Sequence, residues 1–295
     1  MNETVPVLIS PEAGRGRADG AAAEVLAALA AHGRDPTDIT GTDAAASRAA
    51  VARAVREGTD RVIVVGGDGL VHLALQEVAG SEAAIGLVPV GTGNDFARGV
   101  DGIPLDDVGS AVEVALGPIA ALDAIHTDAG WVASVATAGF AGDVNERANR
   151  LRFPKGPSRY TVATMAELPT MRPREVELTI DGETTAMRAA MVAIGNTAWF
   201  GGGMQICPDA QPADGRLDVT VVGDVGRIEL LRFFRLVFSG RHLDHPKVST
   251  FAGSEVRLAS AGLAMWGDGE PIGAAPSTMT ATPGALRLAT PAGRS

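Results

Sequence analysis

The chain has 295 residues, 46% of them hydrophobic and 20% charged, which predicts two folded domains and excludes a largely disordered chain. Its net charge of −10 argues against nucleic acid as the main partner. The single cysteine, Cys207, excludes a disulfide framework and, with a start that lacks a signal-peptide pattern, predicts a cytoplasmic protein. No apolar run reaches about 18 residues, so no membrane-spanning segment is expected.

Residues 1–122 alternate between strand and helix patterns. The predicted strands are 5–10, 38–42, 61–65 and 84–90, and the predicted helices are about 18–32, 43–57 and 70–79, the second capped by Thr42 or Asp43. Strands that are apolar throughout and alternate with helices predict a parallel sheet covered on both faces. Ligands of such sheets bind beyond the carboxyl ends of the strands.

Residues 123–295 consist mainly of short strand-like segments separated by turns, which predicts a β-rich second domain. Two helices are expected there, near 158–168 and 226–239. The second has apolar residues at helical spacing with Arg232 and Arg235 between them. This helix either packs on the core or meets anionic lipid headgroups, and we favour core packing because the sheet needs a cover.

Three glycine-rich loops, residues 10–17, 66–69 and 91–98, follow predicted strands of the first domain. Glycines let backbone N–H groups approach an anion closely, and a helix that begins after the loop adds its positive end. The only lysines are Lys155 and Lys247, so a phosphate site in these loops must use backbone N–H groups, arginine and metal. Each loop alone also suits an ordinary turn, but three at corresponding strand ends favour a phosphate site.

Asp68 lies among the glycines of the second loop, where a carboxylate would repel a phosphate. A cation between them removes the conflict, and Mg²⁺ bridging Asp68 to a polyphosphate meets that condition.

Gly66-Gly67-Asp68-Gly69 followed by Gly91-Thr92-Gly93-Asn94-Asp95 resembles the catalytic domain of the diacylglycerol kinase family. That family includes bacterial soluble lipid kinases and sphingosine kinases and is distantly related to NAD kinases. The resemblance covers nearly the whole chain. It implies an α/β fold with an N-terminal parallel-sheet nucleotide-binding domain, a C-terminal β-rich (β-sandwich) domain, and an active site in the interdomain cleft. Residues 1–122 would bind ATP and residues 123–295 the lipid, with the option that the C-terminal segment packs back on the first domain.

The resemblance, together with the hydrogen-bonding side chain of Asn94, assigns a set of ATP-binding residues. They are Ser10, Pro11, Glu12, Ala13, Gly14, Thr42, Gly66, Gly67, Asp68, Gly69, Leu70, Val71, His72, Thr92 and Asn94. Two of them depart from the family pattern, since Leu70 replaces a threonine and Ser10 an asparagine. We expect these changes to weaken ATP binding or shift nucleotide preference.

The resemblance also implies metal sites. Asp123 matches an aspartate linked to the Mg²⁺ network, and Asp214, with the carbonyls of Gln211 and Arg216, matches a structural Mg²⁺ site. From the residues alone, a turn at Asp214 and a solvated strand face at Asp218 are favoured over a metal site. Ala213 replaces an aspartate of the structural site. The family's asparagine and aspartate in the strand after Asp123 are replaced by Ser134 and Ala141.

Asp268-Gly269-Glu270 predicts a hairpin turn. The resemblance makes Glu270 the base for the lipid hydroxyl, with Asp68 as the second catalytic residue. The implied activity is transfer of the γ-phosphoryl group of ATP, with Mg²⁺, to a lipid hydroxyl, diacylglycerol being the expected acceptor class. Peripheral membrane contact follows from a lipid acceptor, and a homodimer is left open. The alternatives are an NAD kinase-like or other soluble-acceptor kinase, or a nucleotide-binding paralogue without activity.

Overall fold

The computed structural model describes residues 3–10, 18–151 and 158–292. The chain divides into two compact units, the first formed by Met1–Ala124 with Pro283–Ser295 and the second by Ile125–Thr282. It leaves the first unit within strand β5 (Ile119–Thr127) and re-enters it within the last strand, β18 (Ser277–Ala289). The assignment of ATP binding to residues 1–122 and of lipid binding to 123–295 stays a prediction.

The first unit alternates strands and helices. Its elements, besides the parts of β5 and β18 that belong to it, are β1 Glu3–Ile9, α1 Ala18–Ala31, β2 Arg34–Asp38, α2 Ala44–Arg56, β3 Arg61–Gly66, α3 Asp68–Val78, β4 Ala84–Pro89, α4 Asp95–Gly99 and α5 Val108–Ala115.

These strands form a parallel sheet in the order β2-β1-β3-β4, which confirms the predicted parallel sheet. β3 and β4 are buried at every position, as their apolar sequences require. The end of β18 adds a further parallel strand beside β4, where Leu288 pairs with Ile85. Gly66 pairs with Pro89, so the loops after β3 and β4 leave the same edge of the sheet.

Three parts of the first unit differ from the sequence prediction. β2 lies at Arg34–Asp38, four residues before the predicted strand, because it is a polar edge strand that gives little apolar signal. The short helices α4 and α5 were not predicted. Of the two residues predicted as possible N-caps of α2, Asp43 is the N-cap. Its side chain accepts a hydrogen bond from the amide of Ala46 at 2.8 Å.

The second unit is mainly antiparallel. Its elements, besides its parts of β5 and β18, are β6 Gly130–Val132, β7 Val135–Gly139, α6 Phe140–Arg150, α7 Ser158–Glu167, β8 Arg174–Ile180, β9 Glu183–Ala189, β10 Met191–Gly195, β11 Trp199–Phe200, β12 Met204–Gln205, β13 Leu217–Val222, α8 Arg227–Val237, β14 Val248–Gly253, β15 Glu255–Ala259, β16 Ala264–Gly267 and β17 Glu270–Ala274.

Six of these strands form a sheet in the order β14-β13-β10-β7-β16-β17, and β18, β15, β8 and β9 form a second antiparallel ladder. Alternate residues of β10 face opposite ways. Val192 and Ile194 belong to a core shared with the second ladder, whereas Met191 and Ala193 pack with the helices. The result is a β-sandwich with helices over one outer face, which confirms the predicted β-rich domain.

Helices of the second unit show one confirmed and one missed prediction. α8 buries Leu230, Phe233 and Val237, so the favoured core packing is confirmed. α6 was missed, although Phe140, Val144 and Ala148 recur at helical spacing and are all buried. Among the described residues, no helix is long and apolar enough to cross a membrane.

Candidate functional site

The loops after β3 and β4 touch each other through two glycines. A Cβ atom built on Gly91 would lie 2.4 Å from the Cα of Gly67, and one built on Gly67 would lie 3.0 Å from the Cα of Gly91. Any side chain at either position would push the loops apart. These two glycines are therefore required by the packing of one loop on the other, whatever ligand the loops bind.

Asp68 ties the same loops together. It is the first residue of α3, where a negative charge interacts favourably with the positive helix end. Its Oδ1 accepts a hydrogen bond of 2.9 Å from the amide of Phe96, in the first turn of α4. The carboxylate thus has a structural task at the sheet edge besides the predicted role toward a metal.

Gly69, by contrast, has no packing reason to be glycine. A Cβ atom there would meet no atom within 4 Å, and its φ angle lies outside the left-handed region. Glycine inside a helix costs about 1 kcal/mol relative to alanine, so α3 loses stability for this residue. Open space beside exposed N–H groups at a helix start is what an incoming phosphate needs.

Asn94 adds an unsatisfied polar atom at this edge. It occupies the left-handed region with a φ of 53°, a conformation that asparagine tolerates better than most residues. Its Nδ2 donates to the carbonyl of Pro89 at 3.4 Å, while its buried Oδ1 has no hydrogen-bond partner among the described residues. A buried acceptor without a partner costs about 1–3 kcal/mol, which a bound donor would recover.

The remaining predicted ATP residues are placed in different ways. Val71 is buried in the core and its amide donates to the Gly67 carbonyl at 3.2 Å. Leu70 packs its side chain against Gly66. Thr42 and Thr92 are exposed on the loops after β2 and β4. The amide of Ser10 donates to Val65 at 2.9 Å. The other members of the predicted first loop, Pro11, Glu12, Ala13 and Gly14, lie outside the described residues. His72 lies on α3 within 3.4 Å of the side chain of Gln76.

Thr40 is a positioning residue that the sequence analysis missed. Its Oγ1 accepts a hydrogen bond of 2.9 Å from the amide of Ile9 and donates to the Ile9 carbonyl at 3.3 Å. These contacts tie the loop after β2 to the end of β1. A threonine that follows an edge strand carries no distinctive signal in the sequence.

Asp123 is buried on β5 and its Oδ1 accepts a hydrogen bond of 3.1 Å from the amide of Gly284. Both residues belong to the first unit. The contact gives Asp123 a structural role between β5 and β18, and its predicted link to Mg²⁺ stays a prediction.

The predicted structural metal site is a turn held by its own hydrogen bonds. Asp214 Oδ1 accepts from the amide of Arg216 at 3.0 Å, and the Gln211 carbonyl accepts from the amide of Ala213 at 2.8 Å. The Arg216 side chain donates to the Ala252 carbonyl at 3.0 Å. In the described part of the chain, no cluster of three or more His, Cys, Asp or Glu side chains is placed to hold a metal. A site in this turn must therefore rely on backbone carbonyls.

Carboxylate repulsion near this turn is compatible with a bound cation. Burial raises the pKa of Asp218, and the negative charges of Asp214 and Asp209 raise it further. Asp218 and Asp209 line a cavity of about 270 Å³. A cation with oxygen ligands would relieve this repulsion.

Glu270 follows a tight hairpin turn, as predicted. Asp268 and Gly269 both have positive φ angles, 52° and 87°, and connect the paired residues Gly267 and Glu270. The Asp268 carboxylate accepts hydrogen bonds of 2.8 Å from the amides of Ala133 and Ser134. The turn is thus fixed to the β6–β7 connection, with the Glu270 side chain exposed at the start of β17.

The same tripeptide occurs a second time with the same local structure. Asp181 and Gly182, with φ angles of 47° and 89°, connect β8 to Glu183, the first residue of β9. Asp181 Oδ1 also accepts from two backbone amides, those of Ser254, between β14 and β15, and Glu255, the first residue of β15. These hydrogen bonds, with the Glu255 amide contributing most, lower the pKa of Asp181. Asp-Gly-Glu by itself therefore does not mark a base, and the assignment to Glu270 depends on the family resemblance.

Comparison with known proteins identifies the family. Residues 4–127 match the sequence model of the diacylglycerol kinase catalytic domain, and residues 134–290 match the YegS C-terminal NAD kinase beta sandwich-like domain. A diacylglycerol kinase of Mycobacterium tuberculosis is 39% identical to the chain over 294 residues, which cover 97% of this chain and 95% of the relative. The chain belongs to the diacylglycerol kinase family. The predicted enzyme class, a lipid kinase, is confirmed with it.

Two further similarities agree with this membership of the diacylglycerol kinase family. A probable YegS-like lipid kinase of Stenotrophomonas maltophilia is 30% identical over 82% of each chain. The crystal structure of a putative diacylglycerol kinase from Bacillus anthracis superposes with a TM-score of 0.80 at 19% identity, covering 99% of this chain and 98% of that one. The second similarity shows that the two chains share a fold.

Proposed function

We propose that this kinase transfers the γ-phosphoryl group of ATP to the hydroxyl of a lipid of the diacylglycerol class. The observation that carries the proposal is the open space at Gly69 at the start of α3, next to Asp68, whose carboxylate is hydrogen-bonded across the two loops. The Mycobacterium tuberculosis relative, named a diacylglycerol kinase, supports the choice of acceptor.

The residues at this sheet edge fit a nucleotide phosphate chain. Gly69 leaves room for a phosphate at the start of α3. Asn94 Oδ1 is an acceptor that no phosphate oxygen can satisfy, so it fits a donor elsewhere on the nucleotide, such as a ribose hydroxyl. We assign phosphate binding to the segment 66–72, with Ser10, Thr42, Thr92 and residues 11–14 completing the nucleotide site. The amides of Leu70 and Val71 already donate to the Gly67 carbonyl, so the amides before them, at Asp68 and Gly69, are the proposed donors. Bound ATP would supply the phosphoryl group. Asp68 and Asp123 are the residues that would hold Mg²⁺, which would offset the charge of the phosphates. A second, structural Mg²⁺ is assigned to Asp214 with the carbonyls of Gln211 and Arg216.

Glu270 is the proposed base. Its carboxylate accepts the proton of the lipid hydroxyl while the hydroxyl oxygen forms its bond to the γ-phosphorus. The bond from that phosphorus to the β–γ bridging oxygen breaks, and ADP leaves with those electrons. Phosphoryl transfer has a loose transition state and needs little basicity from the group that accepts the proton. Asp268 keeps Glu270 in place by holding the turn to two backbone amides.

The experiment is transfer of labelled γ-phosphate from ATP to lipids in neutral detergent micelles with Mg²⁺. The panel holds diacylglycerol, monoacylglycerol and sphingosine. Wild type is compared with Glu270→Gln and Asp68→Asn. Glu183→Gln is the matched control for the base because it follows an equivalent turn. Asp107→Asn is the control for Asp68, because Asp107 also begins a helix of the first unit and accepts a bond from an amide, that of Ser110.

We expect labelled diacylglycerol from wild type and from both controls. Glu270→Gln should lose about 10²–10⁴-fold in rate, as expected for a general base. Asp68→Asn should lose about 10²–10³-fold through weaker stabilisation of transition-state charge.

Other outcomes would replace parts of the proposal. Label in NAD or a polyol but in no lipid would indicate a soluble acceptor. Bound ATP without any labelled product would indicate a paralogue without activity. Equal losses of rate in Glu183→Gln and Glu270→Gln would contradict the assignment of Glu270 as the base.

A further inference from the structure

The outward face of α8 carries exposed apolar and basic side chains, although the opposite face of the helix is anchored in the core. Leu230, Phe233 and Val237 are fully buried, whereas Ile228 and Phe238 are 71% and 59% exposed. We name the exposed set Ile228, Arg232, Arg235 and Phe238 the α8 face. We propose that the α8 face docks on an anionic phospholipid bilayer.

Helix geometry places these four residues together. At about 100° per residue, they fall within an arc of about 120° on the side opposite the three buried residues. The two apolar side chains lie about 15 Å apart along the axis, with both arginines between them in sequence. Interleaved apolar and basic groups on one face are typical of helices that lie in a membrane interface.

Charge favours an anionic partner. Arg227, Arg232, Arg235 and Arg241 are exposed, and none forms an ion pair within the part of the chain that the structure describes. Glu229, the acidic residue of the helix, is engaged by Lys247 at 2.8 Å and lies 3.4 Å from His245.

Neighbouring acids change this balance little. Asp224 forms an ion pair with Arg188 at 2.8 Å. The negative charge that remains nearby is that of the exposed Asp244, compared with the positive charges of four arginines. The basic surface is therefore local, in a chain whose net charge is −10.

A second protein chain suits this surface less well. Stable protein interfaces bury about 800 Å² per partner, and charged residues are depleted from their centres. Here Arg235 lies between the two apolar side chains. Lipid phosphates at the bilayer surface can accept the arginines while Ile228 and Phe238 enter the apolar layer beneath.

The proposal deepens the proposed function and rests on it for its purpose, because a lipid acceptor is reached at a membrane. The binding itself is measurable without any activity. The first measurement is therefore sedimentation of the full chain with vesicles of phosphatidylcholine alone and of phosphatidylcholine mixed with phosphatidylglycerol.

Wild type should sediment with the anionic vesicles and should not sediment with the neutral vesicles. The pair Arg232→Gln and Arg235→Gln should lower the partition coefficient about 25-fold, since each arginine contributes about fivefold near an anionic surface. Ile228→Ser with Phe238→Ser should lower it about tenfold or more. Arg53→Gln with Arg56→Gln, two exposed arginines of α2 in the first unit, should stay within about twofold of wild type. Thermal unfolding of each variant checks that it is folded.

A second readout separates this proposal from the proposed function. The α8 variants should keep the wild-type rate on diacylglycerol in neutral micelles and lose it on anionic vesicles. If wild type phosphorylates no lipid, the proposed function fails while sedimentation still decides the role of α8.

Three results would overturn the proposal. One is a wild type that does not bind anionic vesicles, or α8 variants that bind as well as wild type. Another is loss of vesicle binding only in the double variant Val162→Ser with Met165→Ser. The membrane-binding surface would then lie on α7, where these two residues are 43% and 56% exposed. The third is a wild-type dimer in analytical ultracentrifugation that Ile228→Ser with Phe238→Ser makes monomeric, which would make the α8 face an interface between copies of the chain.

Discussion

Gly69 and Gly91 lie at the same edge of the sheet for different reasons, and alanine substitution separates them. A Cβ on Gly91 collides with the backbone of Gly67, whereas a Cβ on Gly69 meets nothing. Gly91→Ala should therefore cost about 1–3 kcal/mol in the free energy of unfolding and weaken ATP binding as the loops part.

Gly69→Ala should have the opposite effect on stability. It should raise the free energy of unfolding by up to about 1 kcal/mol and still weaken ATP binding at least tenfold, because the methyl group fills the space assigned to a phosphate. Gly20→Ala, an exposed site in α1 where a Cβ also meets nothing, is the control and should gain stability alone. Calorimetry with and without ATP measures both quantities. Unchanged ATP binding in Gly69→Ala would contradict the phosphate assignment.

His242 gives the second unit a pH dependence. Its ring is buried, its Nε2 donates to the Ile206 carbonyl at 3.0 Å, and its Nδ1 has no partner among the described residues. Burial lowers the pKa of His242, so the folded protein holds the ring neutral. As the pH falls below about 6.5, His242 becomes protonated in the unfolded chain before it does so in the folded protein. The free energy of unfolding therefore decreases as the pH falls from about 6.5 toward the lower pKa of His242 in the folded protein.

His242→Phe should remove that part of the acid sensitivity. At pH 7.5 the variant should be less stable by about 0.5–1.5 kcal/mol because the Ile206 carbonyl loses one of its two donors and keeps Thr220 Oγ1 at 2.8 Å. Between pH 6.5 and 5, the free energy of unfolding of the variant should decrease less steeply than that of wild type. Urea unfolding at several pH values measures the slopes, with His32→Phe, at an exposed position in the turn after α1, as the control. Parallel curves for wild type and His242→Phe would refute the prediction.

The two Asp-Gly-Glu hairpins are equivalent elements with different expected tasks. Asp268 anchors the β16–β17 turn to the amides of Ala133 and Ser134, and Asp181 anchors the β8–β9 turn to those of Ser254 and Glu255. Asp268→Ala should lower kcat at least tenfold beyond any effect on folding, because Glu270 loses its fixed position. Asp181→Ala should lower the melting temperature and leave kcat near wild type. Equal kcat values for the two variants would contradict a catalytic role for the β16–β17 turn.

Elements with strong local patterns were predictable. The apolar runs gave β3 and β4, and the glycine loops marked the sheet edge where the two loops meet. The contact between Gly67 and Gly91 was not predictable, because it joins residues far apart in sequence. β2 was misplaced since an edge strand needs few apolar residues. For Glu270, sequence pattern and local structure both fail to distinguish it from Glu183, so its role came from family resemblance alone.

The first unit depends on both ends of the chain. Its sheet includes the end of β18, where Leu288 pairs with Ile85, and Arg287 lies 2.6 Å from Glu82. A chain that ends at Thr282 should lose this strand and leave β4 at an open edge. We expect it to aggregate or to unfold at a markedly lower temperature than wild type, as light scattering and calorimetry would record. A truncated chain as stable as wild type would show that β18 is dispensable to the first unit.

This arrangement also sets an order of events on the ribosome. The segment up to Ala124 is synthesised before the second unit, yet its sheet lacks the strand beside β4 until β18 is made. The second unit, Ile125–Thr282, is contiguous and is complete before that strand emerges. The edge of β4 in the nascent first unit therefore stays unpaired while the second unit is synthesised and folds. A chaperone that covers strand edges would act during that interval.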